Sequence, residues 1–214
     1  SYSNVVREFR ELIGRSYIAP RWAFGYGQSR WSYDTADEVC EVAAEYKKHN
    51  IPIDSIYLDI DYMERYKDFT VDAQRFPHFA DFAAEMKAQG IRLVPIIDAG
   101  VKIEDGYDVY EEGVKNGYFC TNQDGTPFVA GVWPGLVHFP DMLNPEARAW
   151  FGSQYKFLLD QGIEGFWNDM NEPAIFYSKE TLEKTFAKIE EYRKQSLDIS
   201  SFFAFTGMVR NLSN

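Results

Sequence analysis

Five carboxylates and three tryptophans carry the chemistry this sequence offers. Asp59 and Asp61 lie at the end of the apolar run SIYLDID (55–61), Asp98 closes IRLVPIID (91–98), and Asp169 ends IEGFWND (163–169), with Glu172 three residues on. Trp31, Trp133 and Trp167 stand in the matching loops or strand ends. A single Asp after a strand commonly caps the next helix or binds loop amides. Three successive runs that each deliver carboxylates suggest more, because parallel α/β folds gather their C-terminal strand ends on one ligand-binding face. Two chemistries suit such a rim. One is Mg²⁺ binding by Asp59-x-Asp61, but alternation along a strand sends these side chains to opposite faces and makes them poor joint ligands. The other is glycoside chemistry: an Asp attacks the anomeric carbon, a second carboxyl protonates the departing oxygen, and aromatic rings wall the sugar.

The elements that must position these residues alternate as strand, loop and helix. RWAFGYG (21–27) reads as a first strand. Thr35 and Glu38 form a capping box for a helix that runs to about Lys48, with Val39, Val42, Ala43 and Tyr46 on its inner face. SIYLDID is apolar on both faces, as a parallel strand buried on both sides should be. The spacing of Phe79, Phe82, Ala83 and Met86 predicts a helix over 78–89, stopped by Gly90, with the third strand at 91–98. A longer excursion follows to about Leu143. It holds a short helix at 107–115 and a pairing of 117–120 with 126–132 around Asp124-Gly125. Asn144-Pro145 starts a helix expected to reach Gln161 and to bury Ala149, Trp150, Tyr155, Leu158 and Leu159. IEGFWND is the fourth strand, and 178–195 is a charged surface helix. The form of the apolar stretch SSFFAFTGMV (200–209) is left open.

Composition narrows the partners. The 214 residues carry 22 Lys and Arg against 33 Asp and Glu, a net charge of −11. Nucleic acid and anionic membrane surfaces, which call for basic footprints, are therefore excluded as partners. The 17 Phe, 14 Tyr and 5 Trp exceed ordinary core needs and suit a pocket for an uncharged ligand. Cys40 and Cys120 are expected to be free, buried thiols, and neither they nor His49, His78 and His138 have metal-site spacing. No metal or cofactor is expected. Gly25-x-Gly27 lacks the third glycine of a phosphate loop, since Arg30 stands there, and Asn211-Leu212-Ser213 is read as a chance glycosylation sequon. The charged N-terminus does not read as a leader, and no apolar run nears the roughly 18 residues of a membrane span. On that ground the location leans cytoplasmic.

Four strands alternating with helices mean an α/β fold. A doubly wound open sheet would be complete in this length, whereas a (β/α)₈ barrel needs about 250 residues. The string Phe166-Trp167-Asn168-Asp169-Met170-Asn171-Glu172-Pro173 resembles the nucleophile signature of glycoside hydrolase family 31, the α-glucosidase and α-xylosidase family. Leu58-Asp59-Ile60-Asp61-Tyr62-Met63, Arg75-Phe76-Pro77 and Val132-Trp133-Pro134-Gly135 support it in the family's order, over about residues 15–180. The resemblance implies a (β/α)₈ TIM barrel. Residues 1–214 would form one partial catalytic barrel: the first four βα units, an insertion after strand 3, and the start of the region after strand 4.

The resemblance further implies roles. Asp169 would be the nucleophile of a retaining, exo-acting α-glucosidase. Asp59 would bind the hydroxyls far from the anomeric centre, and Ile60, Trp133, Trp167 and Met170 would wall the pocket. Trp31 stands where many relatives acting on α-1,4 bonds have Tyr, which implies an α-1,6 or mixed preference. An ionised nucleophile needs hydrogen-bond donors nearby, and Asn168 and Asn171 are candidates. Asp98 and Glu172 are assigned supporting places, with Glu172 holding the strand end. The family's acid/base Asp and its substrate-binding Arg and His belong to later loops, and their motifs do not occur before Asn214. The expected partners are thus a small oligosaccharide and the remainder of a parent enzyme, this piece alone being inactive. An α-xylosidase, a transglucosidase or a non-catalytic sugar-binding piece remain alternatives.

Overall fold

The computed structural model describes residues 1–14 and 17–195. It opens with helix α1 (Tyr2–Ile13), followed by one tight helical turn at Arg21–Phe24 and strand β1 (Gly27–Gln28). Helix α2 (Ala36–Lys48) leads to β2 (Ser55–Leu58), and α3 (Phe79–Ala88) to β3 (Arg92–Ile97). These three strands, with β7 (Trp167–Asn168) introduced below, form a parallel sheet in the order β1-β2-β3-β7. Each strand adds to the same edge as the chain proceeds. A doubly wound sheet reverses its order at a switch point, so this order selects the barrel, seen here as a parallel half-barrel.

Between β3 and β7 the excursion builds its own layer. It holds β4 (Val101–Lys102), α4 (Asp108–Asn116), β5 (Ala130–Val132) and β6 (Gly135–His138), then α5 (Pro145–Gln154) and α6 (Lys156–Leu159). After β7 come β8 (Tyr177–Ser178) and α7 (Lys179–Lys194). The order of the second sheet is β4-β6-β5-β8, antiparallel throughout. The expected turn at Asp124-Gly125 is present, with Phe128 N–H donating to Cys120 O at 2.9 Å and Gly125 at φ 81°. Residues 130–132, however, pair with β6 and β8 rather than with 117–120.

Several boundaries move for physical reasons. The first strand shrinks to Gly27–Gln28, after a turn that begins at Pro20, because the chain closes on β2 only where glycines permit. A side chain on Gly25 would strike Asp54, and one on Gly27 would strike Tyr57. The second strand ends at Leu58, where the Asp59 carboxylate accepts the Ile60 amide at 2.8 Å and turns the chain into a helical turn over Ile60–Tyr62. Asp59 and Asp61 are therefore not alternating strand residues. The helix expected to reach Gln161 divides at Tyr155, where the Ser153 hydroxyl donates to Trp150 O at 2.6 Å and competes with the backbone ladder. It buries Ala147, Trp150, Phe151 and Leu158, while Ala149 and Leu159 are exposed. In the fourth strand only Trp167–Asn168 pair, and Glu164 ahead of them forms ion pairs with Lys87 and Arg92.

Other features stand wholly or in part as expected. Thr35 accepts the Glu38 amide at 3.3 Å, although Glu38 reaches back to Asp34 N rather than to Thr35. Val39, Ala43, Phe79, Phe82, Ala83 and Met86 pack from α2 and α3 onto Ile56, Leu58 and Ile96 of the sheet. Tyr62 is fully buried there, and its hydroxyl donates to Ile96 O at 2.8 Å, which offsets the cost of desolvating it. Cys40 and Cys120 are free but half-buried rather than buried. No helix among the described residues is long and apolar enough to cross a membrane. The sequon at Asn211 and the stretch 200–209 lie outside the described residues.

Candidate active site

Three strand ends deliver carboxylates to one rim. Asp59 follows β2, Asp98 follows β3 and Asp169 follows β7. The Ile97 and Asn168 backbones are in register, and Asp169 N–H donates to Ile97 O at 3.1 Å, so Asp98 and Asp169 leave adjacent strands side by side. Both line an open depression of about 200 Å³, together with Asn168, Asn171, Tyr155 and Met142. The groups sense one another electrostatically. Burial pushes Asp98 up to about 7, and the charges of Asp169 and Asp59 add to the shift. Asp59 is also raised, first by burial and then by Asp61 and Asp169, with the Ile60 amide opposing. Asp98 therefore holds its proton to near neutrality, and its Oδ1 is buried without a hydrogen-bond partner.

Sequence reasoning missed the residue beneath this rim. Asp68 is 1% exposed, its Oδ1 accepts the Asp98 amide at 3.0 Å, and its Oδ2 has no partner. Burial and Asp98 hold its carboxyl well above the usual range. No sequence signal marks it, since it sits in an irregular stretch. Tyr155, expected only to be buried on its helix, is half-buried and lines the depression. Its hydroxyl donates to Asn168 Oδ1 at 2.5 Å, and burial with Asp68 pushes it up to about 12, so it remains a donor.

The aromatic residues separate into two groups. Trp31, on the loop after β1, lies 5.6 Å from Trp133, which meets Phe176 edge-on at 4.8 Å. Trp167 is half-buried against Tyr57 at 6.3 Å, lower in the sheet. Met170 adopts a left-handed backbone (φ 54°), a conformation that costs about 1–3 kcal/mol for a non-glycine residue. It turns the chain immediately after Asp169 and packs against Ala130, Val132 and Val137 of the second sheet. Ile60 is buried in the main core, and Glu172 is exposed, with no hydrogen bond or ion pair among the described residues. Glu172 therefore does not hold the strand end. Asn168 has its Oδ1 committed to Tyr155, while Asn171 is exposed at the depression.

A sequence model described as "Glycosyl hydrolases family 31 TIM-barrel domain" matches residues 16–209. The chain belongs to glycosyl hydrolase family 31. Among family 31 relatives, alpha-glucosidase 2 of Bacillus thermoamyloliquefaciens is 46% identical over 180 residues, covering 84% of this chain and 23% of that protein. The family 31 alpha-glucosidase of Bacteroides thetaiotaomicron superposes with a TM-score of 0.72 at 38% identity, over 80% of this chain and 29% of that one. A family 31 dextranase of Flavobacterium johnsoniae, complexed with glucose, gives 0.73 at 28% identity, over 84% and 22%. This chain thus spans between a fifth and a third of the length of these family 31 relatives.

Proposed function

We propose that the chain is the nucleophile-bearing half of the catalytic barrel of a retaining, exo-acting α-glucosidase. The observation that carries this reading is the convergence of Asp59, Asp98 and Asp169 at adjacent strand ends, beside an open depression. Asp169 attacks the anomeric carbon of a terminal α-linked glucose. The glycosidic C–O bond breaks, and its oxygen leaves with a proton from an acid supplied by the rest of the parent enzyme. Water then cleaves the glycosyl ester, with the same acid acting as base. Asp59 binds distal hydroxyls, Trp133, Trp167 and Met170 shape the wall, and Ile60 supports it from the core. No step calls on a metal or cofactor.

The test is made in the parent enzyme. Asp169→Ala is expected to lower kcat by at least 10⁴-fold, and a 5-fluoro-glucosyl fluoride trap is expected to label the peptide carrying Asp169. Label on any other carboxylate overturns the assignment. The relatives' names span several activities: an alpha-glucosidase, a probable glucan 1,3-alpha-glucosidase and a dextranase complexed, as a mutant, with isomaltotriose. The indole at position 31 favours α-1,6 or mixed linkages in this reading.

A further inference from the structure

Side chains, rather than the neighbouring strand, complete the end of β3. β2 pairs with β3 only as far as Leu58, opposite Pro95. Ile60 would be the next residue of that ladder, but it has turned away. Its amide donates to the Asp59 carboxylate at 2.8 Å, and its carbonyl accepts Met63 N–H at 3.1 Å. The Ile96 carbonyl and the Asp98 amide are left without strand partners, in a buried place where each needs one. The segment after β2 supplies both. The Tyr62 hydroxyl donates to Ile96 O at 2.8 Å, and Asp68 Oδ1 accepts Asp98 N–H at 3.0 Å.

The Asp98 amide belongs to the same planar peptide as the Ile97 carbonyl. That carbonyl accepts Asp169 N–H at 3.1 Å. One rigid unit therefore has Asp68 at one end and the backbone of Asp169 at the other. Asp68 is itself held firmly. Its backbone oxygen accepts the Tyr107 hydroxyl at 2.7 Å. On one side Lys67, also buried, pairs with Glu64 at 3.1 Å and Glu104 at 3.2 Å. On the other, Phe69 takes a left-handed backbone (φ 58°), which a non-glycine residue keeps only where its surroundings compel it. Its ring meets Phe151 and Tyr155 edge-on at 5.3 and 5.1 Å, and both of those line the depression. Burying a carboxyl with Oδ2 unpartnered is costly, and here the cost falls one peptide away from the nucleophile.

We propose that Asp68 is a positioning residue for Asp169: its side chain stands in for the missing β2 partner and, through the Ile97–Asp98 peptide, fixes where the nucleophile's backbone sits. The inference rests on the reading of Asp169 as nucleophile. The experiment compares the parent enzyme with its Asp68→Asn and Asp68→Val forms. It measures kcat, KM and the rate of labelling by 5-fluoro-glucosyl fluoride per labelled site. Asn keeps an acceptor for the Asp98 amide and is expected to hold kcat within about threefold. Val keeps the size of the side chain but offers no acceptor. It is expected to lower kcat and the labelling rate together by about tenfold, with KM changed less than about twofold. Equal losses in the two forms, a Val form that keeps its full rate, or a loss confined to KM overturns the proposal. If Asp68→Val does not fold, Tyr107→Phe deletes the hydroxyl that holds Asp68 and is judged by the same labelling rate. A fall of about threefold is then expected, and an unchanged rate overturns the proposal. Failure of the underlying reading shows separately, as an unsubstituted parent enzyme whose fluoro-sugar label misses Asp169.

Discussion

At the scale of single residues, Asp98 is where burial and charge compete most openly. It is 6% exposed, and burial, Asp169 and Asp59 together bring it to about 7, against an ordinary carboxyl near 4. Below about pH 4 it is protonated in folded and unfolded chains alike and contributes no pH dependence. As the pH rises towards 7 the unfolded chain releases this proton first, so folding is progressively penalised, by up to ~4 kcal/mol once both forms are ionised. Asp68 shifts in the same direction. Asp98→Asn is therefore expected to raise the melting temperature at pH 8 and to change it little at pH 4.5, as followed by circular dichroism. An equal change at both values would show that the burial of Asp98 is not the cause. Asp98 was legible in the sequence because it ends an apolar run. Asp68 was not, because its meaning depends wholly on the backbone amide it meets across the fold.

At the scale of elements, spacing located the four parallel strands and the helices that cover them but not β4, β6 or β8, and local hydrogen bonding decided where each stopped. Asp59 ends β2 by capping its own successor, and Ser153 divides the expected long helix, both through side chains that compete with the backbone. The pairing of β5 with β8 was illegible, because it joins segments more than forty residues apart and leaves no local signature. That pairing depends on a glycine. A Cβ on Gly131 would fall 2.1 Å from the ring of Tyr177, its strand partner. Gly131→Ala is expected to destabilise the chain by about 1–3 kcal/mol, read as a lower urea midpoint. Adding Tyr177→Ala, which clears the space, is expected to recover part of the loss.

At the scale of the whole molecule, the parallel sheet grows strand by strand at one edge, and the site lies at its rim. Retention requires a second carboxyl about 5–5.5 Å across the bond from the nucleophile. The resemblance assigns that acid to a later loop of the family barrel. The 214-residue chain by itself is accordingly expected to release 4-nitrophenol from its α-glucoside no faster than its own Asp169→Ala form. A clear difference between the two would place the acid within this chain.

The second sheet has a consequence for how such a site can be altered. Phe176 N–H donates to Gly131 O at 3.0 Å, and Met170 packs on the same sheet, so the loop that follows Asp169 is stitched to the excursion that carries Trp133. These two stretches behave as one module. Grafting a relative's 99–143 excursion alone would leave β8 without its matching seam, and a transplant that succeeds will have to carry residues 170–178 with it.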